Sequence, residues 1–278
     1  KRGATILHKL EAYLLNYCSG IMAAGPAGYV RLSDMLEIGA KAPFNANEEE
    51  AFKVLSKPQS DFLNSRVTRV GNAKRLEAYP INRIEKKKDN GKFRLLYIGV
   101  LEKHPSRGIL ETAITINKMK GIQFDIGGFG TLVPTLKKVC DKMTNVNYIG
   151  SIHPDNVPLQ TIESDAVLMA LDPKNDNNRM SAPNKLFEAM SAGVPIITCK
   201  ELLMGQFVDN EEIGLTFEWG KWDRLKASLM KLIYDKELRQ RLGNRGRKLA
   251  EKTHNWEKCE ERIESLYRYV KNKSTLQA

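Results

Sequence analysis

Ser181-Ala182-Pro183-Asn184-Lys185-Leu186-Phe187-Glu188-Ala189-Met190-Ser191-Ala192-Gly193-Val194-Pro195-Ile196-Ile197 is the stretch on which the fold turns. A polar loop, Lys174 to Ser181, feeds a short helix that starts near Asn184. Gly193 stops the helix, because a residue without a Cβ takes the left-handed conformation that commonly ends one. An apolar strand, Val194 to Thr198, follows at once. The helix start carries partial positive charge and aims it at the loop. Glu188 lies one turn inside, among Leu186, Phe187 and Met190. A carboxylate there can accept two hydrogen bonds from a diol such as a ribose. A surface glutamate on a helix whose other side is core would read the same way.

Outward from this stretch, short apolar runs alternate with amphipathic ones. Leu95 to Ile98, Ile122 to Ile126, Val146 to Ile149 and Ala166 to Ala170 read as strands. Arg107 to Lys120 and Val133 to Lys142 read as helices between them. Such alternation implies parallel pairing with right-handed crossovers, an α/β doubly wound sheet whose ligands sit beyond the carboxyl ends of the strands. Three helices close the chain: Trp222 to Tyr234, Lys236 to Glu251 and Trp256 to Tyr269. The last has Trp256, Cys259, Ile263, Leu266, Tyr267 and Val270 at helical spacing, one apolar stripe. The beginning is less regular. Ile6 to Tyr17 reads as an amphipathic helix and Ser19 to Ala24 as a strand, while Lys57 to Asn90 reads as a polar, irregular insertion or linker.

Two glycine turns flank the first strands. Gly99-Val100-Leu101 ends one strand and Ser106-Arg107-Gly108 opens the next helix. Glycine lets backbone approach a ligand, the helix start offers N–H groups to a phosphate, and Arg107 can neutralise an oxygen. An ordinary strand-turn-helix with a surface arginine fits the same letters. Ile126-Gly127-Gly128-Phe129-Gly130 follows the next strand. It is not the GxGxxG fingerprint at a first strand, so it gives no support to a dinucleotide cofactor.

Length and composition bound the rest. The chain has 278 residues, enough for one large or two small domains, with 42% hydrophobic and 28% charged residues. No apolar run approaches the ~20 residues that span a bilayer. The net charge of +11 favours anionic partners. From Lys231 onward, 13 Lys/Arg stand against 7 Asp/Glu, a balance of +6. This tail and the run Lys86-Lys87-Lys88 are the surfaces for weak, salt-sensitive contact with an anionic membrane. A nucleic-acid partner has no motif or aromatic-basic interleaving behind it. Cys18, Cys140, Cys199 and Cys259, and the four histidines His8, His104, His153 and His254, are scattered. That spacing argues against a zinc site or a disulfide framework and for free, buried thiols in the cytoplasm.

Taken in order, these segments resemble the signature of family 4 retaining glycosyltransferases of the GT-B fold. There a Glu stands just before Ala-Met, then Ala-Gly-x-Pro and an apolar strand. Gly99 with Arg107-Gly108 resembles the family's phosphate turn, and Gly128-Phe129-Gly130 its Gly-x-Gly. Asn147-Tyr148-Ile149-Gly150 resembles the strand before the base-binding loop, and Phe207-Val208-Asp209-Asn210 through Gly214-Leu215 a late turn. His254-Asn255-Trp256 opens what resembles the last helix, which crosses back to the other domain. The resemblance covers about Phe93 to Val270. Upstream, Leu10 to Met22 and Lys41 to Asn47 resemble the end of the family's first domain, so most of the N-terminal, acceptor-binding domain is expected to lie outside this chain.

The resemblance implies three parts: residues 1–80 as the remnant of the N-terminal domain and a linker, 81–253 as a Rossmann-like donor domain, and 254–278 as the returning helix. It implies transfer of a sugar from a nucleotide-diphosphate donor to a saccharide or lipid-linked acceptor, with retention and no cofactor or metal, in cell-surface polysaccharide assembly at the inner face of the membrane. Gly99, Gly128, Gly130, Ile152, His153, Asn184, Lys185, Leu186 and Glu188 would bind the donor, Glu188 through the ribose hydroxyls and Ile152 with His153 through the base. Arg107 and Lys103 would meet the charge that develops on the diphosphate. Two departures stand out. Met180 occupies the place of a first Glu eight residues before Glu188, and Val100 replaces an Arg, with Lys103 and Arg107 as candidates to compensate. The alternatives are a nucleotide-sugar epimerase on the same fold and a non-catalytic nucleotide-sugar-binding assembly subunit.

Overall fold

The computed structural model describes residues 11, 14–15, 18–24, 26–38, 48–55, 57, 61, 63, 65–85, 91–103, 107–117 and 119–275. Most of the helix expected at Ile6 to Tyr17, the segment Lys41 to Asn47, the run Lys86 to Lys88, and His8, His104 and Ser106 lie outside them.

The chain divides into two compact units, one made from residues up to Ala73 with those from Trp256, the other from Lys74 to Asn255. These limits differ from the expected ones at 80 and 253 by a few residues. In the first unit, β1 (Ile21–Ala23) pairs in parallel with β2 (Val67–Arg69), and the described residues also form α1 (Pro26–Ile38) and α2 (Glu48–Leu55). The presence of β2, of a 3-10 turn at Leu76–Ala78 and of α3 (Ile81–Glu85) corrects the reading of Lys57 to Asn90 as irregular. Three-residue strands are too short to show a period of two, so only their partners reveal them.

The second unit is a six-stranded parallel sheet in the order β5-β4-β3-β6-β7-β8. Its strands are β3 (Phe93–Val100), β4 (Ile122–Phe129), β5 (Val146–Tyr148), β6 (Ala166–Met169), β7 (Ile196–Cys199) and β8 (Gly214–Phe217). Leu95, Tyr97, Phe124, Ala166, Leu168 and Ile197 on one face and Leu96, Val167 and Ile196 on the other are all buried, as a sheet covered on both faces requires. Helices α4 (Ile109–Ile116), α5 (Val133–Cys140), α6 (Val157–Ile162), α7 (Asp176–Met180), α8 (Asn184–Ala192), α9 (Leu203–Asn210), α10 (Trp222–Tyr234) and α11 (Lys236–Lys252) connect or follow the strands. The last helix, α12 (Trp256–Thr275), belongs to the first unit. Among the described residues no helix is long and apolar enough to cross a membrane.

The strand order places the site. From β3 the chain builds outward to β4 and β5, then returns to β6 on the other side of β3 and builds outward again. The reversal lies between β3 and β6, and in open α/β sheets the crevice at the carboxyl ends of such a pair is where ligands bind. A full register of eight parallel pairs joins β3 to β4, with Gly99 opposite Gly128 and Val100 opposite Phe129. The strands therefore run through the glycines, which the sequence suggested were turns.

Candidate functional site

Four elements meet at the carboxyl edge of β3. The strand itself contributes Tyr97 and Gly99, the segment before α4 contributes Arg107, and the first two turns of α8 contribute Lys185 and Glu188. The fourth is the stretch Lys74 to Tyr79.

The glycines are needed for room. A Cβ on Gly128 would lie 1.8 Å from the carbonyl oxygen of Gly99, and one on Gly130 would lie 2.4 Å from that of Leu101. At Gly99 the missing side chain leaves a hollow, and a Cβ there would stand 2.5 Å from the Lys185 ammonium. Lys185 fills this hollow from above, with Nζ 4.4 Å from the centroid of the Tyr97 ring. A cation over an aromatic face is held by the ring quadrupole. Tyr97 is fully buried and fixed in turn, its hydroxyl donating to the Val100 carbonyl at 2.9 Å. Burial lifts the Tyr97 phenol to about 12 despite the opposing charge of Arg107.

Lys185 therefore sits in an unusual setting for an amine. Burial lowers its pKa from the ordinary lysine value to about 8, with Arg107 adding to the depression and Glu188 opposing it. Arg107 stands close enough to act on both Tyr97 and Lys185, and its Nε is buried without a hydrogen-bond partner among the described residues. Two partly covered cations thus stand close together. Like charges so placed repel each other unless an anion joins them.

Glu188 does not neutralise Lys185, although residues three apart on a helix face each other. Its carboxylate is paired with Lys74 at 2.9 Å, and both side chains are mostly covered, 15% and 24% exposed. Tyr79, 2% exposed, is close enough for the Glu188 charge to reinforce the effect of burial in raising its phenol. Lys74 and Tyr79 fall in the stretch read from sequence as linker, and no local pattern singles them out. Tyr97 likewise read only as one apolar residue of a strand.

The other sequence candidates are placed as follows. Asn184 is exposed at the first position of α8, whose N-cap is Pro183 with no side-chain cap, and Leu186 is buried in the core beneath. Ile152 packs over Gly127, where an added Cβ would lie 2.8 Å from its side chain. His153 is 71% exposed and stands 3.4 Å from its neighbour Asp155. Lys103 is exposed on the chain leaving β3, where its backbone N–H donates to Thr131 at 3.4 Å. Val100 is 39% exposed at the strand end, and Met180 is the last residue of α7, partly buried. That short helix corrects the reading of Lys174 to Ser181 as loop. Asn175 caps it by accepting from the Asn178 backbone at 3.1 Å, and Asn178 donates its amide to Asp172 at 3.0 Å.

The cysteines are all free, and Cys18 is exposed rather than buried as the sequence suggested. The segment His254-Asn255-Trp256 opens the last helix, whose first residue is Trp256. His254 is buried ahead of α12 beside Phe187 and Phe207, with ring centroids 6.2 and 5.5 Å away.

Comparison with known proteins identifies the kind of chain that carries this site. The sequence model described as "Glycosyl transferases group 1" matches residues 79–249. A curated relative, the capsular polysaccharide biosynthesis glycosyltransferase CapM of Staphylococcus aureus, is 28% identical over 163 residues, covering 50% of this chain and 42% of the relative. The chain thus spans less than half of that protein's length. Among solved structures, the sucrose-phosphate synthase of Thermosynechococcus elongatus aligns over 95% of this chain and 61% of its own, with TM-score 0.66 and 16% identity. Anabaena HepE in complex with UDP and glucose aligns over 98% of this chain and 67% of its own, with TM-score 0.62 and 13% identity. These likenesses show a shared α/β fold of the GT-B type.

Proposed function

Because this chain belongs to the group 1 glycosyl transferase family, we propose that it binds a nucleotide-diphosphate sugar at the carboxyl ends of β3 and β6. It would supply the donor half of a transferase that moves the sugar, with retention, to a saccharide or lipid-linked acceptor in polysaccharide assembly. The observation that carries this reading is the cluster itself. Among the described residues Arg107 and Lys185 have no ion-pair partner, and they stand beside the uncapped start of α8, one turn from Glu188. The polysaccharide context is borrowed from the CapM relative, and the donor class from HepE, whose structure contains UDP and glucose.

The chemistry follows from the charges. As the bond from the sugar's anomeric carbon to the diphosphate breaks, negative charge grows on the departing oxygen, while the acceptor hydroxyl forms the new bond and loses its proton. Fixed cations aimed at that oxygen lower the barrier, and they do so most where water is excluded. Arg107, Lys185 and the first N–H groups of α8 are such cations and dipoles. Glu188 would accept hydrogen bonds from the ribose hydroxyls, with Lys74 holding its carboxylate in place at 2.9 Å.

Calorimetry with a panel of nucleoside diphosphates tests the reading. One of them should bind, and Glu188→Ala should weaken it by about 1.5–3 kcal/mol, the cost of removing a charged hydrogen-bond partner. Undiminished affinity in the variant removes Glu188 from the ribose. A second reading, a non-catalytic donor-binding subunit, is favoured by Met180 at the end of α7. It predicts tight donor binding with no sugar transfer even when the acceptor-binding part is supplied.

A further inference from the structure

Trp219 and Trp222, two of the chain's three tryptophans, flank Gly220 and Lys221 where the chain leaves β8 and starts α10. Both are only partly buried. Their rings meet edge to face with centroids 5.3 Å apart, and Phe217, buried at the end of β8, backs Trp222 at 5.7 Å. The Trp219 backbone N–H donates to the Glu201 carboxylate at 3.0 Å, which ties the loop to the segment after β7. Edge-to-face aromatic pairs attract each other beyond the area they bury, and an indole has only two side-chain torsions to settle, so such a stack is rigid.

The stack leans on the start of α4. A Cβ on Gly108 would lie 3.3 Å from Cη2 of Trp222, 3.5 Å from Cζ3 of Trp219 and 2.8 Å from the Cβ of Ala170, the residue after β6. Gly108 is the N-cap of α4, in the left-handed conformation at φ 62°, and it has no side chain with which to cap the helix. The start of the helix is therefore placed by the wall beside it, and α10 packs along α4 behind that wall. The atoms that face Gly108 belong to the far end of each indole. A leucine at either position would cover the core beneath and fall short of Gly108. Arg107 is the residue immediately before Gly108. A long side chain is aimed only as well as its backbone is placed, and an error of ~1 Å at a reacting centre can cost about 100-fold in rate.

We propose that Trp219 and Trp222 are positioning residues for Arg107, holding the start of α4 so that the guanidinium meets the diphosphate of the donor. The inference rests on the donor-binding reading above and brings the loop after β8 into the machinery. Neither indole touches the ligand, and both act through Arg107 alone. The tryptophans therefore matter for ligand affinity only while Arg107 is present, which a general loss of packing would not produce. Because they lie against the turn that carries Arg107, their emission also reports the arrival of the ligand.

The test is calorimetry on the whole 278-residue chain with the uridine, guanosine, adenosine and cytidine diphosphates, run as a double-mutant cycle between each of Trp219→Leu and Trp222→Leu and Arg107→Ala. Each tryptophan variant should lower the affinity for the diphosphate that binds about 3- to 30-fold, the size of coupling between residues that act together. In the Arg107→Ala chain the same substitutions should change little, and Arg107→Lys takes its place where Arg107→Ala leaves no measurable binding. Gly108→Ala, whose Cβ would meet Ala170 at 2.8 Å, should show the same dependence on Arg107, and it decides the matter if a tryptophan variant does not fold. In Trp256→Phe the pair are the only tryptophans left, and the diphosphate should change their emission. Undiminished affinity in the three variants, a loss that is as large without Arg107 as with it, or an emission that the diphosphate leaves unchanged would overturn the inference and leave the donor reading standing. If the unaltered chain binds none of the diphosphates, the donor reading falls and takes this inference with it.

Discussion

At the residue scale, three charges decide what the site can do, and their pairing is not the one that spacing suggests. Lys185 and Glu188 are neighbours on one helix, yet Glu188 is matched to Lys74, more than a hundred positions away. Burial, only partly opposed by the Glu188 charge, leaves the Lys185 amine partly neutral at mildly alkaline pH. In the folded, empty chain it titrates at about 8, below its ordinary lysine value, so the unfolded chain holds more protons between about 8 and the ordinary value. Stability from this group should therefore rise as pH climbs through that window, with the cost of the buried charge fully present below it. A bound anion reverses the preference and restores the proton. Diphosphate affinity should then fall above pH 8, by at most about tenfold per unit, since one proton is taken up. Calorimetry from pH 7 to 9.5 checks this, and a profile that Lys185→Met leaves unaltered would show that another group titrates. Lys185 and Glu188 were legible in the sequence because they sit in a compact helix-glycine-strand pattern. Lys74 was not, because an ion pair between distant segments leaves no local trace.

At the element scale, the crossing of α8 and α11 sets how firmly the two charged turns are held. Gly243 lies in the interior of α11, where alanine would ordinarily stabilise the helix by up to about 1 kcal/mol. Here a Cβ would stand 2.1 Å from the carbonyl oxygen of Gly193, the residue that caps α8. Backbone cannot swing aside as a side chain can, so the sign reverses. Gly243→Ala should cost about 1–3 kcal/mol by overpacking, read as a lower urea midpoint at unchanged slope. A stabilised variant would mean that the helices do not approach so closely. Arg247, one turn further along α11, ties the same crossing by donating to the carbonyls of Tyr79 at 2.8 Å and of Ser191. The alternation of strands and helices from Phe93 onward was readable because each strand is a buried apolar run and each helix is amphipathic. α7 was not, since its five residues are polar and depend on asparagine side chains for their hydrogen bonds. The glycines at positions 99 and 128 misled in the other direction. They suggested turns, but they lie within paired strands and permit close approach there.

At the scale of the whole molecule, every residue assigned to the site lies in the unit from Lys74 to Asn255. So does the large core cluster that runs from Phe93 to Leu242. A piece with its own core can fold alone. Residues 74–255 expressed by themselves should melt cooperatively and bind a nucleoside diphosphate within a few-fold of the full chain. Non-cooperative melting, or loss of binding, would show that the site needs the rest. The first and last residues of that unit also meet, since Lys74 forms a parallel bridge with Asn255. A segment that leaves its host and returns to it at one place has the architecture of an insert. A single short connector across residues 74 and 255 could join its ends into a circular permutant, and a host chain could take it up at one loop without stretching. In genetic terms the unit from Lys74 to Asn255 has the form of a cassette, and moving it would require matching only one pair of adjoining junctions.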